Sequence, residues 1–297
     1  MNNTRKISRK IEKIYKRPID NLYSLNFFNE LFTGYSYSLN ERKFEGRDFF
    51  NISPKDSGIE KLFNNSRCYD FSNSLGQTIN SALYSMAVYG KAYIFIRAEY
   101  TEKTEEKGNV NKVLKSLDIH EVKGVLKNDI FYYKTYSKEI SYFTISEGSL
   151  IILDLKELGY KRNYFTKLIK KLGTYDVTSD SLELINNEPA YDFNTHVSIN
   201  RIRFLKKVSD IGWEFGTDGL SESYILYKEI KMKLFKKRML QYVLEKINEV
   251  IVEKYVQDKD FRIEAMTGNI DYEEVWNKFQ SGELTVTDLS KIVWRGI

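Results

Sequence analysis

The chain predicts an α+β fold: a helix leading into an antiparallel β-meander, then a mainly helical C-terminal half built on one long helix. Three observations carry this. Apolar residues at helical spacing (Phe71, Leu75, Ile79, Leu83, Met86) stop at Gly90, and the β-prone run Lys91–Ala98 follows at once. Short apolar runs separated by turn residues continue to Leu153. From Leu220 to Tyr255 the chain has no Gly or Pro, so a single helix on the order of 50 Å long is expected.

Four segments follow in order. Residues 1–66 begin with a basic arm whose Ile7, Ile11, Ile14 and Tyr15 have helical spacing, stopped at Arg17-Pro18. An aromatic helical stretch (Phe27, Phe28, Leu31, Phe32) and polar loops come next. Residues 67–154 form the α+β module. Asp70 is placed to cap its helix, and Gly90 ends it where a left-handed backbone costs glycine little. Further strands are expected at Leu114–Val122, Ile130–Tyr136, Glu139–Ile145 and Leu150–Leu153, with Gly124, Asn128, Ser137 and Gly148 between them.

Residues 155–219 form a short helical and mixed region. Leu155–Leu172 reads as one helix ended by Gly173, and Val197–Phe204 as an alternating stretch before the aromatic Trp213 and Phe215. Residues 220–297 hold the long helix, with Tyr224, Tyr227, Ile230, Leu234, Leu240 and Leu244 at helical spacing. A strand at Phe261, Ile263 and Ala265 follows, then a helix opened by Asp271 and Glu274, then a last helix capped by Thr285 or Thr287.

Composition excludes several classes. A chain that is 42% hydrophobic and 29% charged is not broadly disordered. Its net charge of +5 supplies no global basic field. Cys68 is the only cysteine, so no intrachain disulfide or Cys-rich metal site can form. The basic N-terminus has no apolar stretch behind it, unlike a secretory signal. No apolar run approaches the roughly 18 residues of a membrane span. A cytosolic protein without membrane association is expected.

No catalytic constellation stands out. His120 and His196 are isolated, and phosphate-loop, dinucleotide and nucleophile-elbow glycine motifs are absent. Glu273 and Glu274 are adjacent on a helix and do not face one another. A non-enzymatic protein with no cofactor and no metal is therefore expected. Positive charge gathers at Arg5, Lys6, Arg9, Lys10 and Lys13 in the arm, and at Lys228, Lys231, Lys233, Lys236, Lys237 and Arg238 on the long helix. Several cations on one helix side suit nucleic-acid phosphate or an acidic partner. Glu229, one turn before Lys233, suits a solvated face. Both readings stand.

Two passages resemble the portal (connector) proteins of tailed bacteriophages. Tyr89-Gly90-Lys91-Ala92-Tyr93, within Ala82–Arg97, is similar to the turn by which a portal wing helix feeds its β-meander. The second passage runs from Thr217 to Val293. There Gly219-Leu220-Ser221, the long helix, Phe261–Met266, Asp271–Gln280 and Gly282-Glu283-Leu284-Thr285 follow the family's order of loop, helix, strand, acidic helix and turn. The order extends over about half the chain, making residues 67–154 wing-like and 155–219 stem-like. Leu155–Leu220 leaves little room, so stem and clip are short or absent.

The resemblance implies a structural subunit that self-associates into a ring, a dodecamer in the family, at one capsid vertex of the virion. Assembly would take place in the host cytoplasm. Double-stranded DNA would pass through the ring, which would dock capsid, terminase and head-completion proteins. The other reading is a non-catalytic nucleic-acid- or protein-binding module of a mobile element or defence system, acting through the basic arm.

Overall fold

The computed structural model describes residues 22–32, 50–54, 62–63, 71–104, 110–122, 124–126, 129–134, 139–144, 148–174, 193–213, 221–256, 260–265 and 270–295. The expected N-terminal helix with Arg5, Lys6, Arg9, Lys10 and Lys13, the cap Asp70, and Cys68 lie outside the described residues.

The fold is α+β, as the sequence predicts. In chain order come α1 (Leu22–Phe32), β1 (Phe50–Ser53), α2 (Phe71–Tyr89), β2 (Lys91–Thr104), β3 (Val110–Val122) and β4 (Gly124–Leu126). Then follow β5 (Asp129–Lys134), β6 (Glu139–Thr144), β7 (Gly148–Asp154), α3 (Tyr164–Gly173) and α4 (Phe193–Val208). The chain closes with α5 (Glu222–Lys254), β8 (Arg262–Ala265), α6 (Tyr272–Gln280) and α7 (Val286–Arg295).

The chain forms two compact units that do not follow the four sequence segments. One takes α2, the eight strands and α5 from Met239 onward. The other takes α1 as far as Leu31, α3, α4, α5 up to Arg238, α6 and α7. The regrouping has a physical cause: pairing of β1 with β8, and the length of α5, bring distant stretches together.

In the first unit β2 is the central strand. It pairs antiparallel with β3 (Phe95 opposite His120) and with β7 (Ile94 opposite Ile151). The strands therefore do not run as one continuous meander. β4, β5 and β6 form their own antiparallel sheet, and the chain then returns to β2. α2 buries Leu75, Ile79, Leu83 and Met86, whose spacing by three or four residues puts them on one face. Ile94, Ile96, Leu117 and Ile119 are among the buried residues of β2 and β3.

The second half of α5 is fastened to this unit through its side chains. Asn248 accepts from the Ile263 amide at 2.8 Å and donates to the Ile263 carbonyl at 2.9 Å, satisfying both backbone groups of one β8 residue. Tyr242 accepts from the Asp154 amide at 3.0 Å, and the Tyr255 hydroxyl lies 2.7 Å from the Ser149 hydroxyl. The helix is buried along its whole length, at Leu226, Ile230, Phe235, Met239, Val243 and Ile251 among others. It is a core element of both units.

In the second unit an aromatic cluster joins α1, α3 and α4. The Phe27 ring is 5.0 Å from Trp213 and 6.0 Å from Phe165, and Phe204 is 5.8 Å from Trp213. Trp213 is 1% exposed, and its indole nitrogen donates to Glu30 at 2.7 Å, so the ring is buried without an orphaned donor. Gly212 precedes it at φ +71°, and a Cβ there would meet the Met232 amide of α5 at 2.6 Å. Only glycine allows the chain to turn that close to the helix.

Two local expectations need correction. Leu155–Leu172 is not one helix. Asp154 accepts from the Lys156 amide and opens a single 3₁₀ turn (Leu155–Leu158) that ends at Gly159, and the chain becomes helical again only at Tyr164. The alternating stretch Val197–Phe204, in the mixed region, is helical and part of α4. Asn200, Phe204 and Val208, four residues apart, are its buried positions, so tertiary packing overrides the local alternation.

Candidate nucleic-acid or partner interface

The first half of α5 packs on α6 and α7. Leu226 and Ile230, one turn apart, meet Leu289 and Val293, and Leu234, Val275, Trp276 and Phe279 close around them. Caps fix where the two partner helices begin. The Asp271 carboxylate accepts from the amides of Glu273 (3.0 Å) and Glu274 (3.5 Å). Thr285, rather than Thr287, caps α7. Its hydroxyl accepts from the Asp288 amide at 3.2 Å while the Asp288 carboxylate accepts from the Thr285 amide at 3.2 Å, a reciprocal capping box.

This arrangement decides what the expected interface cations can do. Lys233 donates to the Val293 carbonyl at 2.8 Å and to the Tyr272 hydroxyl at 3.1 Å, with its ammonium 4.9 Å from the Tyr272 ring centroid. Val293 lies in the last turn of α7, where carbonyls lack an intrahelical donor, so Lys233 caps that helix end. Lys231 stands over the rings of Trp276 (5.3 Å) and Tyr227 (5.8 Å). Lys237 is 3.6 Å from the Asp271 carboxylate. Lys228 is buried. Burial pushes the Lys236 ammonium down in pKa, and the charge of Glu30 opposes that shift. Of the six, Arg238 alone is exposed. The structure thus gathers Lys231, Lys233 and Lys237 onto their own C-terminal helices.

Other charged groups were not singled out by the sequence. Glu121 on β3 is buried and accepts from Ser85 at 2.7 Å and Ser81 at 2.9 Å, both on α2. Burial pushes its carboxyl up to about 7, and the two hydroxyls pull it back only in part. Ser81 and Ser85 are one helical turn apart, but nothing in the sequence pairs that turn with β3. Asp154, at the end of β7, accepts from Arg162 at 2.6 Å and lies 3.4 Å from Lys91. The Arg162 guanidinium holds its carboxyl well below the usual range.

Arg162 in turn explains Gly90. The glycine has φ +78°, and a Cβ there would strike Arg162. Its amide donates to Met86 at 2.8 Å and its carbonyl accepts from Leu155 at 3.1 Å. The Tyr89-Gly90-Lys91 turn is therefore clamped between the end of α2 and the end of β7. His120 pairs with Asp118 on its own strand, and His196 lies 2.8 Å from Asn200 one turn along α4. Among the described residues no group of three or more His, Cys, Asp or Glu side chains could hold a metal ion. Among them also, no helix is long and apolar enough to cross a membrane.

Comparison of the chain with protein-family models finds no match, and comparison with curated protein sequences finds none either.

Proposed function

We propose that this protein is a portal-like structural subunit. It assembles with copies of itself into a ring, a dodecamer by resemblance, at a capsid vertex. Phage DNA is packaged and ejected through the ring, which docks the capsid, the terminase motor and head-completion proteins.

The observation that supports this is the order of elements. A helix closes at the Gly90 turn into an antiparallel sheet, and a 33-residue helix is followed by a strand, a helix capped by Asp271, and a helix capped by Thr285. That is the order on which the resemblance to portal proteins rests. A ring also needs rigid subunits that meet through two different surfaces. Each unit holds its own part of α5 by side-chain hydrogen bonds, one through Asn248 and Tyr242 and the other through Lys233.

Negative-stain microscopy and light scattering of the purified chain test the proposal. Rings with a central hole are expected. A protein that stays monomeric at every concentration overturns this reading and leaves the binding-module alternative.

A further inference from the structure

The strands of the main sheet differ in length: β2 has 14 residues and β3 13, but β7 has only 7. β7 begins at Gly148, which pairs with Arg97. From residue 98 to 104, β2 pairs among the described residues with β3 alone. The sheet therefore narrows to a two-stranded ribbon, on the order of 20 Å long at about 3.3 Å per residue.

Burial stops where the ribbon begins. Ile96 and Leu117 are buried, whereas Tyr100 is 51% and Val113 40% exposed. Thr101, Glu102, Lys112 and Lys115 are exposed too. Tyr100 is in register with Leu114, and Thr101 with Val113, so Tyr100 and Val113 lie on opposite faces. Neither face of the ribbon is packed on a core, and a two-stranded ribbon in water is marginal without further strands or a covering layer.

The two strands of the ribbon differ in charge. β2 carries Glu99 and Glu102 with Lys103, and β3 carries Lys112 and Lys115 with no acid before Asp118. The connecting residues 105–109, outside the described set, add Glu105, Glu106 and Lys107. Glu99 accepts from Ser116, its partner across the ladder, at 3.2 Å, and Glu102 stands opposite Lys112. Among the described residues Glu102, Lys112 and Lys115 form no ion pair.

We propose that this ribbon joins copies of the chain head to tail, the β2 edge of one copy pairing antiparallel with the β3 edge of the next. Charge complementarity selects a second copy, because the chain carries both halves of the match. In the register of the intrachain ladder, Glu102 of one copy would stand opposite Lys112 of its neighbour. Opposite charges facing across a ladder stabilise it, and like charges weaken it. Two-fold pairings are poorer: β3 on β3 sets lysines against lysines, and β2 on β2 gathers Glu99 and Glu102 of both copies around Lys103. Head-to-tail pairing keeps the strands alternating in direction and leaves every copy in one orientation, as a closed ring requires. The inference rests on the self-association proposed above and names one contact within it.

The test uses the full chain with Glu102→Lys, with Lys112→Glu, and with both substitutions together. Association is followed by light scattering against concentration at low salt, and circular dichroism checks that each variant folds. Each single variant should need roughly fivefold more protein to associate, since one charge pair per junction turns from attraction to repulsion. The doubly substituted chain should associate like the parent. An equal mixture of the two single variants should associate better than either alone, because each then meets an edge of opposite sign. That recovery separates contact between copies from a weakened hairpin, which mixing cannot repair.

Single variants that associate like the parent overturn the proposal, and so does a mixture no better than its components. If rings persist in both single variants, this contact falls and the ring reading stands. A parent chain that is monomeric at every concentration overturns both, leaving the edges to a strand of another protein.

Discussion

The lysines in the first half of α5 and those on α3 and α4 belong to one compact unit, yet they meet different surroundings. Three of those on α5 meet α6 and α7: Lys231 stands over Trp276, Lys233 caps α7 and Lys237 meets Asp271. Those of α3 and α4 stand outward from helices without a carboxylate. Clustering along the sequence does not distinguish the two sets. What packs over the helix does. A cation covered by another element becomes part of the fold and contributes to stability, whereas one left outside contributes to the field a partner meets.

The strongest way to sharpen this contrast is at a charge drawn inward elsewhere, Glu121. In the unfolded chain its carboxyl titrates near 4.5, and in the folded protein, because of burial, at about 7. Between these values the folded state keeps a proton that the unfolded state has released. The contribution is fully present below pH 4.5 and is lost as pH rises through about 7. Its size is on the order of 3 kcal/mol. Glu121→Gln retains an acceptor and removes the titration. Urea unfolding of this variant should be nearly independent of pH across that window, while the unmodified protein weakens. An unchanged pH slope in the variant would assign the effect to another group.

Lys233 should show the next largest effect. Lys233→Met keeps the aliphatic stem but leaves the Val293 carbonyl and the Tyr272 hydroxyl without their donor. Hydrogen bonds to charged groups are worth about 1.5–3 kcal/mol, so a loss near 2 kcal/mol is expected in chemical denaturation. A change below about 0.5 kcal/mol would place this lysine with the outward set, since surface substitutions rarely exceed that.

The contrast also shows what the sequence could reveal. α2 was legible because its apolar period, its Gly90 stop and the β-prone run after it agree with one another. α5 was legible from length and the absence of breakers, and α6 from Asp271. The 3₁₀ turn at Leu155–Leu158 was not, because it depends on Asp154 turning back on Lys156. α4 was not, because the burial of Phe204 depends on Trp213 and Tyr23, which are distant from it in local pattern. The basic cluster on α5 was visible, but its inward fate was not, since Tyr272 and Val293 lie 39 and 60 residues away from Lys233. The lysines of α3 were readable at their helical spacing.

The smallest expected effect tests the outward set directly. Lys170→Gln with Arg203→Gln removes two exposed charges, neither of which has a described carboxylate partner. Stability should change by less than about 0.5 kcal/mol. Its sign is informative, because like charges without a described carboxylate partner repel one another in the folded state and are farther apart in the unfolded one. The double variant should therefore be slightly more stable than the parent at low salt, and the difference should vanish near 1 M salt, where screening reaches only about 3 Å. A destabilised variant at low salt would mean that these side chains hold contacts within the fold, as Lys233 does. The two sets of cations would then no longer differ in kind.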